Sequence, residues 1–209
     1  IPADQDPDAN LKDFSLSVLH NVQSMWRGVF EQAGRDYSGA KLVVYRGGVR
    51  TGCGSASSAV GPFYCPVDQY VYLDLSFQRE MRQQLGADGD FAWAYVIAHE
   101  MGHHVQHELG TEAKVRELQQ QNPDDENALS VRLELQADCY SGVWAQSAYK
   151  AGDLEQGDIE EALGAASAVG DDKLQSERTG RVRPDTFTHG TSEQRQRWFQ
   201  RGYDSGDAG

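Results

Sequence analysis

Long apolar runs are missing from this chain. The longest, "FAWAYVIA" at residues 91–98, falls well short of the ~20 residues a membrane-spanning helix needs. Positive charge is scarce: 19 Lys and Arg stand against 32 Asp and Glu, a net charge of −13, and no basic block offsets it. That balance argues against nucleic acid or an anionic membrane surface as a partner. Cysteine is limited to Cys53, Cys65 and Cys139, and no C-x-x-C pair offers a cysteine-based zinc site. Internal repeats, low-complexity tracts and obvious linkers are absent too. The chain does not open on Met, so the expectation is a fragment or processed form, with any signal peptide or anchor upstream.

What is present fits one globular domain. The 209 residues can bury a sizeable core, and 39% hydrophobic with 24% charged residues are values of folded rather than disordered chains. Residues 1–10 are polar and rich in Asp and Pro, a loose lead-in, and 11–209 are expected to form the single domain. Apolar residues at helical spacing (Phe14, Val18, Val22, Trp26) predict a helix from Leu11 to about Gly34. "KLVVY" (41–45) and the alternating "YVYLDLSF" (70–77) read as strands, with the Gly- and Ser-rich segment between them as loop. A short helix is expected from Phe77 to Leu85, then a long one from an N-cap at Asp90. Further helices are expected at 112–121, from the "NPDDEN" turn to Lys150 with Gly152 as its stop, and at about Ile159–Val169. "TSEQ" (191–194) is a capping-box pattern that opens a last helix. The fold class is therefore α+β, mostly helical with one small sheet.

Four of the six histidines fall within "HEMGHHVQH" (99–107). Helical residues four apart differ by only about 40° around the axis, so His99 and His103 share a face and can bind one ion through neutral imidazoles. Glu100 follows the first of them, where a carboxylate can reach a metal-bound water; this is the H-E-x-x-H pattern. His104 lies about 140° round from His99 and cannot join the same ion, and His107 is a further turn along, so both read as structural or surface residues. The metzincin extension is excluded, because Gln106 and Leu109 stand where it needs Gly and His. A catalytic zinc wants a third protein ligand and an open position. "ELQAD" (134–138) can supply one. Glu134 and Asp138 sit four apart among Leu135, Cys139, Val143 and Trp144, and two carboxylates there are costly to bury without a cation. Glu134 as ligand and Asp138 as acceptor from a ligating imidazole would satisfy both. Gly102 costs about 1 kcal/mol of helix propensity against Ala, and a close-packed strand or substrate path beside the metal would explain it.

The segments "HEMGHHVQ", "ELQADCYSGVWA" and "THGTSEQRQRWF", with "CGSASSAVGPFYCPVDQYVYLDLSF" upstream, resemble the bacterial neutral zinc metallopeptidases, gluzincin-type zincins that pair HExxH with ExxxD. The resemblance runs from about Leu11 to Gly206. It implies a zinc peptidase fold with one Zn²⁺ on His99, His103 and Glu134, Glu100 as general base and acid, and Asp138 behind the ligands. It also implies an extracytoplasmic domain, often behind an N-terminal membrane anchor, acting on a peptide or protein. "YVYLDLSF" resembles the edge strand that zincins lay beside the active-site helix, where an extended peptide can add. "FTHGTS" resembles the segment after ExxxD that carries an oxyanion donor, which falls here on His189. Cys53 and Cys65 flank a loop with little else to hold its shape; a disulfide between them is expected, favoured by the implied location, with free thiols or metal binding as the alternatives and Cys139 a reduced core thiol. The rival to a peptidase is a zinc-binding scaffold or interaction domain without activity. Natural substrate, cleavage specificity and oligomeric state are not written in the sequence.

Overall fold

The computed structural model describes residues 6–57 and 60–208. Residues 1–5 of the expected lead-in lie outside that range. Helix α1 (Ala9–Gln32) begins two residues earlier than its apolar spacing predicts and buries Val18, Leu19, Val22, Trp26 and Phe30 along one face. Five strands follow among the described residues: β1 (Lys41–Tyr45), β2 (Gly48–Thr51), β3 (Gly54–Ser57), β4 (Phe63–Cys65) and β5 (Tyr70–Asp74). The segment expected to be loop thus contains three of them. Its Gly and Ser content conceals an antiparallel hairpin, β2–β3, and a short strand, β4.

The order β1-β5-β4 makes β5 the central strand of its sheet, parallel to β1 and antiparallel to β4. This corrects the edge-strand expectation for residues 70–77: the edge on the far side of β5 is β4. The expected alternation fails as well. Val71, Tyr72, Leu73 and Asp74 are all buried, because a central strand is covered on both faces. The strand stops at Asp74, whose carboxylate accepts a hydrogen bond from the Ser76 backbone N–H at 2.8 Å and caps α2 (Leu75–Gln83). The helix expected to start at Phe77 therefore starts two residues sooner.

Helix α3 (Asp90–Leu109) carries the histidine cluster, and its N-cap is Gly89 rather than Asp90. Glu161 of α6 (Asp158–Ala168) accepts from the Phe91 N–H at 3.1 Å and serves that end from across the fold. Phe91 to Met101 are buried without a break, so α3 runs through the core. Helix α4 (Thr111–Gln121) leads to α5 (Glu126–Ala151), which ends on the left-handed Gly152. Helix α7 (Asp171–Thr179), not anticipated from the sequence, has mean polarity too high to betray a face. Helix α8 (Ser192–Ser205) opens on the capping box of Thr191 and Gln194.

Three glycine contacts position the site. A Cβ at Gly102 would meet the Cα and carbonyl oxygen of Ala137 at 3.0 Å, so it is helix α5, not a strand or a substrate path, that approaches here. A Cβ at Gly142 would fall 2.0 Å from the carbonyl oxygen of Phe199, and one at Gly202 would fall 2.0 Å from that of Cys139. Helices α5 and α8 therefore touch backbone to backbone.

Candidate metal centre

Close approach of α3, α5 and α8 brings six charged or ionisable groups to one place. His99, Glu100 and His103 come from α3, Glu134 and Asp138 from α5, and Arg195 from α8. His99 Nε2 lies 3.1 Å from Glu134 Oε2 and 3.2 Å from His103 Nε2, and His103 Nε2 lies 3.3 Å from Glu134 Oε1. Ligands ~2.0–2.1 Å from one tetrahedral ion stand about 3.3–3.4 Å apart, so these separations fit zinc.

The hydrogen bonds around the imidazoles point the same way. Asp138 Oδ1 lies 2.8 Å from His99 Nδ1, and an ionised carboxylate there can only accept, so in the neutral ring the proton sits on Nδ1 and Nε2 is bare. Gln106, almost fully buried, donates through Nε2 to the Leu133 carbonyl at 2.7 Å and to Gln136 at 2.9 Å. That fixes its amide orientation, so its oxygen accepts from Nδ1 of His103 at 2.9 Å. Both imidazoles then present a bare Nε2 to the carboxylate of Glu134. Three lone-pair donors facing one point repel one another unless a cation, or captured protons, lie between them. Without a cation, burial opposes charge on His99, yet the Asp138 and Glu134 carboxylates push its pKa up to about 10. Burial likewise works against charge on Glu134, but the two histidines hold its carboxyl well below the usual range. A cation can take over this role. His99, His103 and Glu134 form one of two groups among the described residues whose possible ligand atoms all lie within 4.8 Å of one another; the other, Asp90, Asp158 and Glu161, is all carboxylate and more exposed.

Asp138 is fully buried and kept ionised by its neighbours. Burial alone would raise its pKa, but Arg195 and His99 lower it. Arg195 grips it with Nε at 2.8 Å and Nη2 at 3.0 Å, and the Tyr95 hydroxyl donates to Oδ1 at 2.5 Å. The same Nη2 lies 3.3 Å and 3.4 Å from the two ring nitrogens of His99 and 3.8 Å from Glu134. Arg195 and Gln106 were not anticipated. The signal for Arg195 was an arginine on the apolar side of the last helix, four residues before Phe199.

Glu100 is buried at the wall of a cavity of about 760 Å³ that His99, His103, Glu134 and His189 also line. Burial raises its pKa against the lowering pull of His99 and His103, and no hydrogen bond among the described residues reaches its carboxyl. His189 reaches the cavity from the turn before α8, held by Asp171. Asp171 Oδ2 accepts the backbone N–H groups of Thr188, His189 and Gly190 at 2.8, 2.7 and 3.1 Å, and Oδ1 lies 3.1 Å from His189 Nδ1. That contact raises the His189 pKa, against burial. His104 sits elsewhere, donating from Nε2 to the Ser38 carbonyl at 2.6 Å and accepting the Tyr64 hydroxyl on Nδ1 at 3.0 Å. His107 pairs with Glu112 at 3.4 Å, away from the converging ligands. Cys53 and Cys65 form a disulfide that ties β4, whose Phe63 and Tyr64 line the cavity, to the β2–β3 turn. Cys139 is free and buried.

The chain matches the model of a family described as "Putative neutral zinc metallopeptidase" over residues 2–209. A relative in Escherichia coli (strain K12), named uncharacterized protein YpfJ, is 59% identical over 195 residues, 93% of this chain and 68% of that protein. In Mycobacterium tuberculosis (strain ATCC 25618 / H37Rv), uncharacterized protein Rv2575 is 44% identical over 203 residues, 92% of this chain and 67% of that protein. No solved structure matches the chain. A family match across nearly every residue, on the chain whose three lone-pair donors are spaced for a tetrahedral ion, leads to one conclusion: this protein belongs to the neutral zinc metallopeptidase family.

Proposed function

We propose that the chain is a zinc-dependent endopeptidase with His99, His103 and Glu134 as the ligands of one zinc ion and Glu100 as its general base and acid. The observation that carries this reading is the set of 3.1–3.3 Å separations among the three ligand atoms at the wall of a cavity, beside a buried carboxyl with no hydrogen bond to another described group. When bound, zinc would supply Lewis acidity to the peptide carbonyl and bring the pKa of a bound water toward ~7.

The protein's own groups do the rest. Glu100, its proton affinity raised by burial, takes the proton of the attacking water and passes it to the leaving amine. Asp138 holds the His99 ring by Nδ1 and keeps Nε2 turned to the ligand point. His189, steadied through Nδ1 by Asp171, offers its other ring nitrogen to the negative charge that develops on the carbonyl oxygen. The substrate is a peptide or protein, entering extended beside β4, which among the described residues pairs only with β5. The Cys53–Cys65 disulfide supports an extracytoplasmic, oxidising location. No described helix is long and apolar enough to cross a membrane.

A zinc-binding scaffold would have no use for Glu100. The test is Glu100→Gln: zinc content should stay at that of wild type while peptide turnover falls at least a hundredfold. Unchanged turnover would take the role of base away from Glu100, and a wild-type protein that loads zinc and cuts no peptide in a mixed library would favour the scaffold.

A further inference from the structure

His104 belongs to the same run of histidines as the ligands, yet it does not face the converging point and the proposed reaction does not use it. Consecutive helical residues diverge by about 100°, so His104 leaves α3 on another side from His103, toward β4 and the loop before β1. It is fully buried. Its Nε2 faces the Ser38 carbonyl at 2.6 Å, which can only accept. In the neutral ring the proton therefore sits on Nε2, and Nδ1 accepts the Tyr64 hydroxyl at 3.0 Å. Ser38 is itself fixed to α3, because Glu108, one turn beyond His104, accepts its backbone N–H at 3.0 Å. The imidazole is thus held between an anchored carbonyl and Tyr64, with the rings of Tyr37 and Tyr64 in edge contact at 5.5 and 5.4 Å.

Tyr64 is where β4 needs a hold. The strand has three residues and among the described residues pairs only with β5, so its ladder does little to fix its distance from α3. The Cys53–Cys65 disulfide ties it to the β2–β3 turn and not to the helix. Among the described residues, the bond from Tyr64 to His104 is the hydrogen bond that joins β4 to α3. Gln69, in the turn after β4, approaches His107 only at 3.4 Å, a weaker contact.

We propose that His104 is a positioning residue for the substrate: through Tyr64 it sets the distance between β4 and the ligand His103, its neighbour in the chain. A peptide that adds to the open edge of β4 by main-chain hydrogen bonds is then carried at a fixed distance from the ligand point. Misplacement by about 1 Å is enough to cost an enzyme much of its rate, so a three-residue strand held by one such bond makes that bond matter. The inference rests on the peptidase reading for its biological meaning, although binding of a peptide to β4 does not require turnover.

The test titrates zinc-loaded protein calorimetrically with acetohydroxamate and with trialanine hydroxamate, which share the metal-binding group and differ in the peptide that can lie on β4. The tripeptide should bind wild type about tenfold more tightly or better, the worth of one or two main-chain hydrogen bonds. Tyr64→Phe removes only the hydroxyl. It should leave zinc content and acetohydroxamate affinity as in wild type and shrink the tripeptide's advantage about three- to tenfold. His104→Leu should shrink it by a similar factor, and the double variant by no more than the worse single, because both changes remove one bond. An advantage untouched by Tyr64→Phe, additive losses in the double variant, or a wild type that binds both hydroxamates alike would overturn the inference. A lower melting temperature with both affinities unchanged would assign the bond to the fold alone and overturn it too. A mixed peptide library left intact by zinc-loaded wild type overturns the peptidase reading instead, and the hydroxamate ratio then decides the positioning role by itself.

Discussion

Arg195 and Asp138 form a two-point ion pair in the core: Nε and Nη2 donate at 2.8 and 3.0 Å to a carboxylate with no exposed surface. The pair couples the last helix to the ligand His99, because Asp138 Oδ1 also lies 2.8 Å from His99 Nδ1. A buried pair of this kind contributes little over a well-packed apolar pair, but breaking it strands a charge. Arg195→Ala should therefore cost about 3–5 kcal/mol of stability, read by urea denaturation of the metal-free protein. Asp138→Asn should weaken zinc binding about 10–100-fold in a chelator competition, since the held orientation of His99 is lost. Unchanged zinc affinity in Asp138→Asn would refute the link between the pair and the metal.

Glycine substitutions should sort by what each Cβ meets. At Gly142 it would overlap the Phe199 carbonyl oxygen and at Gly202 that of Cys139, both at 2.0 Å and both backbone atoms that cannot step aside. Gly142→Ala and Gly202→Ala should each destabilise by about 1–3 kcal/mol or more. Gly164, within α6 with nothing inside 4 Å, should behave oppositely, and Gly164→Ala should stabilise by about 0.5–1 kcal/mol. The midpoints of three urea curves decide it.

The Cys53–Cys65 bridge spans 12 positions of a Gly- and Ser-rich segment. Closing a loop of that size stabilises by up to about 3 kcal/mol through the unfolded chain. Reduction with a thiol, or the Cys53→Ser variant, should lower the denaturation midpoint accordingly. Zinc content should be unaffected, since none of the three converging ligands lies in the bridged segment.

Asp171 and His189 set a pH window. His189 is raised above its ordinary value, so its contribution is full below about pH 6.5 and fades as pH rises through the folded-state pKa. Asp171 is lowered, so its contribution is present above about pH 4 and fades as pH falls through its folded-state pKa. The pair therefore stabilises most between about pH 4 and 6.5. With the His189 side chain 51% exposed, screening holds the effect below about 1 kcal/mol. The stability gap between wild type and His189→Gln should be widest near pH 5–6 and narrow as pH rises through the folded-state pKa of His189; a gap that does not change with pH would show that the pair is not ionised. In kinetics, His189→Ala should lower kcat about a hundred- to a thousandfold with little change in KM. Near-normal kcat with a lower melting temperature would assign the residue to holding the turn.

Much of this protein is readable in order along the chain. Helical spacing from Phe14 to Trp26, the Gly152 stop and the Thr191–Gln194 capping box are local signals, set by side chains within one or two turns of each other, and the helices stand where those signals put them. The couples His99–His103 and Glu134–Asp138 are equally local, because four-residue spacing on a helix fixes a shared face before any packing occurs. Tertiary structure alone decided the rest. Whether β5 sits at the centre or the edge of its sheet depends on the strand placed beyond it, and β4 is three residues long within a Gly- and Ser-rich stretch. Gly102, Gly142 and Gly202 look like weak helix positions in the sequence and become the points where helices touch. Arg195 reaches Asp138 across 57 positions of chain, and no periodicity encodes a contact that exists only once two helices have met backbone to backbone.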